Sequence, residues 1–338
     1  MEMTSEQLEK LFASFEKMRI LVVGDVMIDA YTEGVIERMS PEAPVPVVNV
    51  KKRYNRLGGA ANVALNLKSL GAEPILCSVI GDDQKGEKFM QLLRRYSLNV
   101  KGIVKSAQRS TTLKERVIVD GKQRLRIDEE DTVDLYSDEA EALLVNLQKL
   151  LEQKAVHCIV LQDYNKGVLS PSVIGAIMAI AKQSSLPVVV DPKKDNFLAY
   201  QGASLFKPNA KELREGLCND ATDIAEYREA AIKLRALLNC DTVMVTLSGQ
   251  GVIICRKDSD AIESHHLAAF PRDIKDVSGA GDTVLSVAAL CTVAEQSAYD
   301  TAFLSNLAGG LVCEQIGVGP IDKQRLLKEA KELCDRHD

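Results

Sequence analysis

Short apolar runs alternate along this chain with longer stretches of helical period. Residues 19–25 form an apolar run that ends in a glycine turn, and residues 59–70 then repeat their apolar positions with the spacing of a helix. Further short apolar runs at 74–80, 158–161, 188–190, 204–206 and 243–247 read as buried strands, separated by helical segments such as 137–151 and 224–238. This alternation predicts an α/β fold in three layers, a mainly parallel sheet covered by helices on both faces. Two stretches break the rhythm. Residues 32–50 carry three prolines, and residues 111–127 alternate polar and apolar positions around Asp120-Gly121, which predicts a hairpin with an Asp-Gly turn. Extended segments inserted between β/α units suit a small sheet projecting over the sheet's carboxyl edge as a lid, or an ordinary edge sheet.

Composition narrows the class. A chain of 338 residues with 46% apolar content can bury a substantial core. The net charge of -6 gives no general attraction for nucleic acid or anionic membrane. No Trp and 4% aromatic residues also argue against stacking platforms for single strands. No apolar run approaches the roughly 20 residues needed to span a bilayer. The first residues read as an acidic, amphipathic helix without a cleavable signal, so a cytoplasmic enzyme is expected. Eight cysteines without a Cys-x-x-Cys pair suit reduced thiols in core packing, not a zinc site or disulfide frame.

Candidate chemistry centres on Asp276-Val277-Ser278-Gly279-Ala280-Gly281-Asp282-Thr283. A glycine turn before a helix leaves backbone N–H groups for an anion, and the helix N-terminus adds positive partial charge. A carboxylate beside that anion can take a proton from an attacking hydroxyl, as phosphoryl transfer to an alcohol requires. The alternative is a loop shaped by Gly279 and Gly281, with Asp282 capping the helix. A second glycine signal, Leu57-Gly58-Gly59-Ala60-Ala61-Asn62-Val63-Ala64-Leu65-Asn66-Leu67 followed by Leu70-Gly71, favours the chemical reading. Together the two signals resemble the paired signatures of ribokinase-like (PfkB) sugar kinases, over nearly the whole chain from about Met18 to the last helix.

That resemblance implies a ribokinase-like fold with a lid that makes homodimer contacts, and ATP and Mg²⁺ as co-substrate and metal. By resemblance Asp282 matches the family's catalytic aspartate, with the N–H groups of Gly279, Ala280 and Gly281 around the transferring phosphoryl. Lys207-Pro208-Asn209-Ala210-Lys211-Glu212 resembles the family's Asn-Pro-Asn-x-x-Glu element, with Lys207 in place of the first Asn and its role open. Asn209 and Glu212, one helical turn apart, could organise a hydrated Mg²⁺ or serve simply as an N-cap with its acidic first turn. In the family the turn holding Thr246, Ser248 and Gly251 faces the nucleotide phosphates, and Asn306 falls near the adenine. Asp276 and Ser278 match positions where many relatives bind K⁺. Sugar hydroxyls are assigned to Asp25, Asp29, Gly58, Gly59 and Asn62, with turn and capping roles as the alternative.

Within the family, a succession of runs narrows the resemblance: residues 24–29, 39–48 from Met39-Ser40-Pro41-Glu42, 58–64 from Gly58-Gly59, Asp163-Tyr164-Asn165-Lys166-Gly167-Val168-Leu169 and Asp191-Pro192-Lys193. They are similar to the subfamily that phosphorylates D-glycero-D-manno-heptose 7-phosphate at its anomeric hydroxyl in bacterial ADP-heptose and lipopolysaccharide synthesis. The sugar's existing phosphate calls for cations, and Lys114, Arg116, Arg124 and Arg126 on the expected lid, with Lys166 and Lys193, are the candidates. Many members of that subfamily carry a C-terminal nucleotidyltransferase with a His-x-Gly-His element. His157, His265-His266 and His337 do not form one, so a single kinase domain over 1–338 is expected, with adenylylation left to another polypeptide or to a part of the gene product outside this chain. A dehydrogenase reading lacks Gly-x-Gly-x-x-Gly after the first strand. Two alternatives remain: another ribokinase-like kinase, for fructose phosphates, ribose or a nucleoside, and a non-catalytic sugar-phosphate sensor.

Overall fold

A computed structural model describes residues 3–153, 155–258 and 261–335; His337, named above, lies outside them. In chain order the elements are α1 (Ser5–Ser14), β1 (Arg19–Gly24), β2 (Val26–Met39), β3 (Pro46–Gly59), α2 (Ala60–Ser69), β4 (Glu73–Gly81), α3 (Gln84–Arg95), β5 (Ile103–Ser106), β6 (Leu113–Val119), β7 (Lys122–Glu129) and α4 (Ser137–Gln153). They continue through β8 (Cys158–Gln162), α5 (Pro171–Gln183), β9 (Val188–Asp191), β10 (Leu205–Phe206), α6 (Ala210–Leu217), α7 (Ile224–Leu238), β11 (Thr242–Thr246), β12 (Val252–Asp258), β13 (Ala261–Leu267), α8 (Ala280–Val293), α9 (Ala298–Val312) and α10 (Lys323–Cys334).

The large sheet runs β13-β12-β11-β10-β9-β8-β1-β4-β5. Its pairs are parallel from β5 to β11, and β12 and β13 close one edge as antiparallel strands. Strand side chains alternate between faces, and β1 shows what that builds. Ile20 and Val22 enter one core with α2, α8 and α9, while Leu21 and Val23 enter a second core with α4, α5 and α7. The sheet is therefore covered on both faces, as the apolar runs predict. Helix α8 has little amphipathic character because it lies against α2, α9 and the sheet at once, and residues 282–291 are all buried.

A second sheet, in the order β3-β2-β6-β7, is the expected lid. It rises from the carboxyl end of β1, since β2 begins one residue after Asp25, and β2 and β6 pair in parallel from Ile28↔Leu113 to Gly34↔Val119. The turn between β6 and β7 is Asp120-Gly121, with positive φ of 52° and 71°, as the Asp-Gly signal requires. The first lid segment is longer than 32–50: the β2–β3 hairpin occupies 26–59. Its base escapes a reading of polarity because Ile28, Tyr31 and Leu57 are covered by the body of the protein and do not alternate with solvent.

Candidate active site

The glycine turn does what its sequence suggests. Gly279 is the N-cap of α8 in a left-handed conformation (φ 81°), which favours glycine, and no side chain caps this helix. The capping alternative for Asp282 is thereby excluded. Its carboxylate is engaged by other elements, accepting from Asn62 Nδ2 at 2.7 Å on Oδ2 and from the Tyr164 hydroxyl at 2.9 Å on Oδ1. Only 3% of Asp282 is exposed. Burial, reinforced by the charge of Asp191, pushes its carboxyl up to about 7 against the pull of the Asn62 and Tyr164 hydrogen bonds and of Lys207. A carboxylate poised there is suited to accept a proton near neutral pH.

Around this turn opens a cavity of about 710 Å³ at the carboxyl ends of the strands. Gly279, Ala280 and Gly281 line it together with Thr246, Ser248, Gly251, Asn209, Glu212 and Asn306, so the glycine turn and the residues assigned to nucleotide and Mg²⁺ border one space; Asp282 lies just behind this lining, and its donor Tyr164 is part of it. An isolated parallel bridge between Asn209 and Thr246 brings the two nucleotide-side motifs together. Asn209 and Glu212 form a reciprocal capping box on α6: Asn209 Oδ1 accepts from the Glu212 N–H and Glu212 Oε2 from the Asn209 N–H, each at 2.9 Å. Glu212 Oε1 pairs with Lys193. These engaged oxygens fit a hydrated ion held through water better than one bound directly. Gly251 has φ 90°, and a Cβ there would lie 1.9 Å from the Leu267 carbonyl, so glycine is also needed for β13 to pass.

Lys207, left without a role by the sequence, is buried at the cavity wall with Nζ 3.0 Å from Asp191 Oδ2. A Cβ on Gly281 would sit 3.7 Å from that carboxylate oxygen and 3.8 Å from the lysine nitrogen, which places the pair directly beneath the glycine turn. Tyr164, part of the Asp163-Tyr164-Asn165-Lys166-Gly167 run, has a role that the sequence does not show: its hydroxyl is the second donor to Asp282.

The residues assigned to the sugar divide. Asp25 does not face an acceptor: it is 1% exposed and accepts the backbone N–H groups of Tyr164 at 2.7 Å, Lys166 at 3.1 Å and Val168 at 3.1 Å. The turn-shaping alternative holds for it. Asn62 lies inside α2 and is spent on Asp282, although its Oδ1 is buried with no partner. Gly59 (φ 61°) shapes the strand-to-helix corner, where a Cβ would meet the Asp25 carbonyl at 2.3 Å. Asp29 pairs with Arg116 across β2 and β6, and a Cβ on Gly58 would strike Asp29 Oδ2 at 2.1 Å, so Gly58 makes room for that carboxylate.

The expected lid cations also divide. Lys114 and Lys166 both bind Glu130, at 2.7 Å each, and Lys114 also binds Asp128 at 3.0 Å. Arg126 pairs with Asp128 at 2.9 Å, and Arg124 is exposed on β7. Lys193 belongs to the nucleotide-side cavity, not the lid. Arg56, not foreseen, packs over Tyr31 and Tyr54 and donates to the carbonyls of Ile316 and Val318. Asp276 bridges two loops, accepting from Ser278 N at 2.9 Å and Gly317 N at 2.8 Å.

Parallel sheet, lid, glycine turn and poised carboxylate define a sugar-kinase architecture. The profile of the pfkB family carbohydrate kinases matches residues 17–324, and the chain belongs to that family. Among curated relatives, the bifunctional protein HldE of Coxiella burnetii (strain RSA 493 / Nine Mile phase I) is 38% identical over 326 residues, covering 96% of this chain and 66% of HldE. HldE of Geobacter metallireducens is 34% identical over 325 residues, covering 96% and 65%. The chain thus spans just under two thirds of the length of these relatives. Phosphofructokinase-2 from Escherichia coli in complex with potassium superposes with a TM-score of 0.78 at 20% identity, over 94% of this chain and 100% of that one. Arabidopsis thaliana ribokinase complexed with ribose and ATP gives 0.69 at 17%, over 92% and 99%. Both likenesses establish the ribokinase-like fold.

Proposed function

We propose that this chain transfers the terminal phosphoryl group of ATP to the anomeric hydroxyl of D-glycero-D-manno-heptose 7-phosphate, giving heptose 1,7-bisphosphate for ADP-heptose and lipopolysaccharide core synthesis. The observation that carries the chemistry is Asp282, buried with its carboxyl near neutrality beside a glycine-lined helix N-terminus. The acceptor rests on the likeness to HldE. Asp282 takes the proton from the anomeric O–H as that oxygen forms its bond to phosphorus, and the bond from phosphorus to the leaving ADP oxygen breaks. An anomeric hydroxyl is more acidic than an ordinary alcohol, which eases the transfer. The N–H groups of residues 279–281 and the Lys207 ammonium meet the charge on the transferring oxygens. Mg²⁺ bound to the nucleotide would neutralise phosphate charge, with Asn209 and Glu212 holding its waters. Thr246, Ser248, Gly251 and Asn306 receive the nucleotide, Asp29 and Arg116 the acceptor, and Asp276 with Ser278 is assigned to K⁺. The reading extends to residues 1–338 as one kinase domain, to work in the cytoplasm and to a homodimer formed through the lid.

The test is ADP production with Mg²⁺-ATP and a panel of D-glycero-D-manno-heptose 7-phosphate, sedoheptulose 7-phosphate, fructose 6-phosphate, fructose 1-phosphate, ribose and adenosine. A strong preference for the heptose phosphate is expected. Preference for another acceptor discards the substrate and keeps the transfer chemistry; no turnover with any of them favours the sensor.

Arg116 and Lys193 separate in the same assay. Arg116→Met should raise KM for the sugar phosphate about tenfold and leave KM for ATP within about twofold, because it removes the cation beside Asp29. Lys193→Met should do the reverse, since Lys193 lines the nucleotide side. Equal effects on both substrates from either variant would refute this division.

A further inference from the structure

Tyr164 lies in the stretch 163–168 after β8, which has no helix or strand of its own. Buried carboxylates hold this stretch. Asp25 accepts its N–H groups at Tyr164, Lys166 and Val168, and Asp163 accepts from Asn165 N at 2.8 Å and from the Tyr200 hydroxyl at 2.7 Å. The Tyr164 ring lies beneath Lys193, whose Nζ is 5.3 Å from the ring centroid. With backbone and ring so fixed, the hydroxyl has one place to reach, Oδ1 of Asp282.

We propose that Tyr164 is a positioning residue for phosphoryl transfer: its hydroxyl sets the orientation of the Asp282 carboxylate, and Asp25 is the buried anchor that places that hydroxyl. The proposal rests on the reading of Asp282 as the base. It gives the buried Asp25 carboxylate a purpose that sugar binding did not. With Asn62 on Oδ2 and Tyr164 on Oδ1, both carboxylate oxygens are oriented, so the lone pair left for the acceptor proton has a defined direction. Burial and the neighbouring Asp282 charge hold the Tyr164 hydroxyl well above its ordinary range, so it remains a donor at every pH at which the enzyme could work. The charged groups facing Asp282 are Asp191 on β9 and Lys207 after β10; Asn62 on α2 and Tyr164 supply the neutral donors.

Tyr164→Phe removes one oxygen from the protein and keeps the ring. Infrared titration of the free enzyme identifies Asp282 as the carboxyl band that disappears in Asp282→Asn. In Tyr164→Phe the midpoint of that band should move up by about one unit, since a hydrogen bond to the charged form is lost. With the acceptor preferred in the panel, kcat should fall about tenfold while both KM values stay within about twofold. The acid limb of its pH profile should move up with the infrared midpoint. Asp25→Asn, whose amide has one accepting oxygen where the carboxylate has two, should shift the midpoint in the same direction. An unmoved midpoint with unchanged kcat in Tyr164→Phe overturns the proposal. Normal turnover by Asp282→Asn would instead overturn the base assignment, and the infrared midpoint would still report whether Tyr164 holds the carboxyl.

Discussion

Asp282→Asn is expected to lower kcat by about a thousandfold while ATP binds as in the wild type, because the change removes the proton acceptor and almost no volume. Calorimetric titration with ATP and single-turnover ADP formation read the two parts separately; turnover within about tenfold of wild type would end the mechanism. The same variant carries a prediction about stability. The Asp282 carboxyl rises from 3.8 to about 7 on folding, so between those values the native state holds a proton that the unfolded state has released. Its favourable contribution is complete below about 4 and lost as pH rises through 7. Asn never ionises, and Asn62 has an unpartnered Oδ1 with which to meet the new amide. The difference in Tm between variant and wild type should therefore shift in favour of the variant from pH 5 to pH 8. A difference independent of pH would show that Asp282 does not titrate in this range.

Lys207→Met should be nearly as damaging, for two reasons that can be separated. It takes the ion-pair partner from buried Asp191 and leaves that oxygen with only the Gln162 amide at 3.2 Å, which costs about 3 kcal/mol of stability. It also removes a cation from the wall under the glycine turn, worth about a hundredfold in kcat if it meets the transferring phosphoryl. Because Lys207 holds the Asp282 carboxyl down and Asp191 pushes it up, the acid limb of the rate profile should move to higher pH. Adding Asp191→Asn to the variant should recover most of the Tm and little of the rate. Recovery of both would make Lys207 a structural partner of Asp191 and nothing more.

The body of the fold was legible because its physics is local. Helix α7 occupies the predicted 224–238, and each apolar run became a strand of the large sheet to within a residue or two. The glycine turn was legible as well, since a left-handed N-cap needs Gly279 whatever surrounds it. What escaped depends on long-range packing. Tyr164 and Asp282 are 118 positions apart, and only the seating of α8 beside α2 and the sheet brings them together. Asp25 ends a strand at a glycine turn, where an open carboxylate and a buried one look the same; three N–H groups from a stretch about 140 residues later decide between them. Two of the candidate cations were hidden for a related reason. A lysine carries no sign of the carboxylate it will face, and Glu130 claims both Lys114 on β6 and Lys166 in the stretch after β8.

The β2–β3 hairpin leaves the body of the protein after Asp25 and rejoins it at Gly59, where Val26 pairs with Gly59 and the Ala60 N–H meets the Asp25 carbonyl at 2.9 Å. Both ends thus pass through one clasped point, and beyond a base buried at Ile28, Tyr31 and Leu57 the hairpin is carried outside the layers that hold Asp282. Such a segment is a natural cassette. Its strands can be lengthened, rebent or replaced, together with the β6–β7 ribbon that β2 pairs with, while the junction at 25 and 60 keeps its geometry. A chain built in this way can inherit a new choice of acceptor without having to reinvent its phosphoryl-transfer centre, and chimaeras cut at that clasp are where such an exchange should be made.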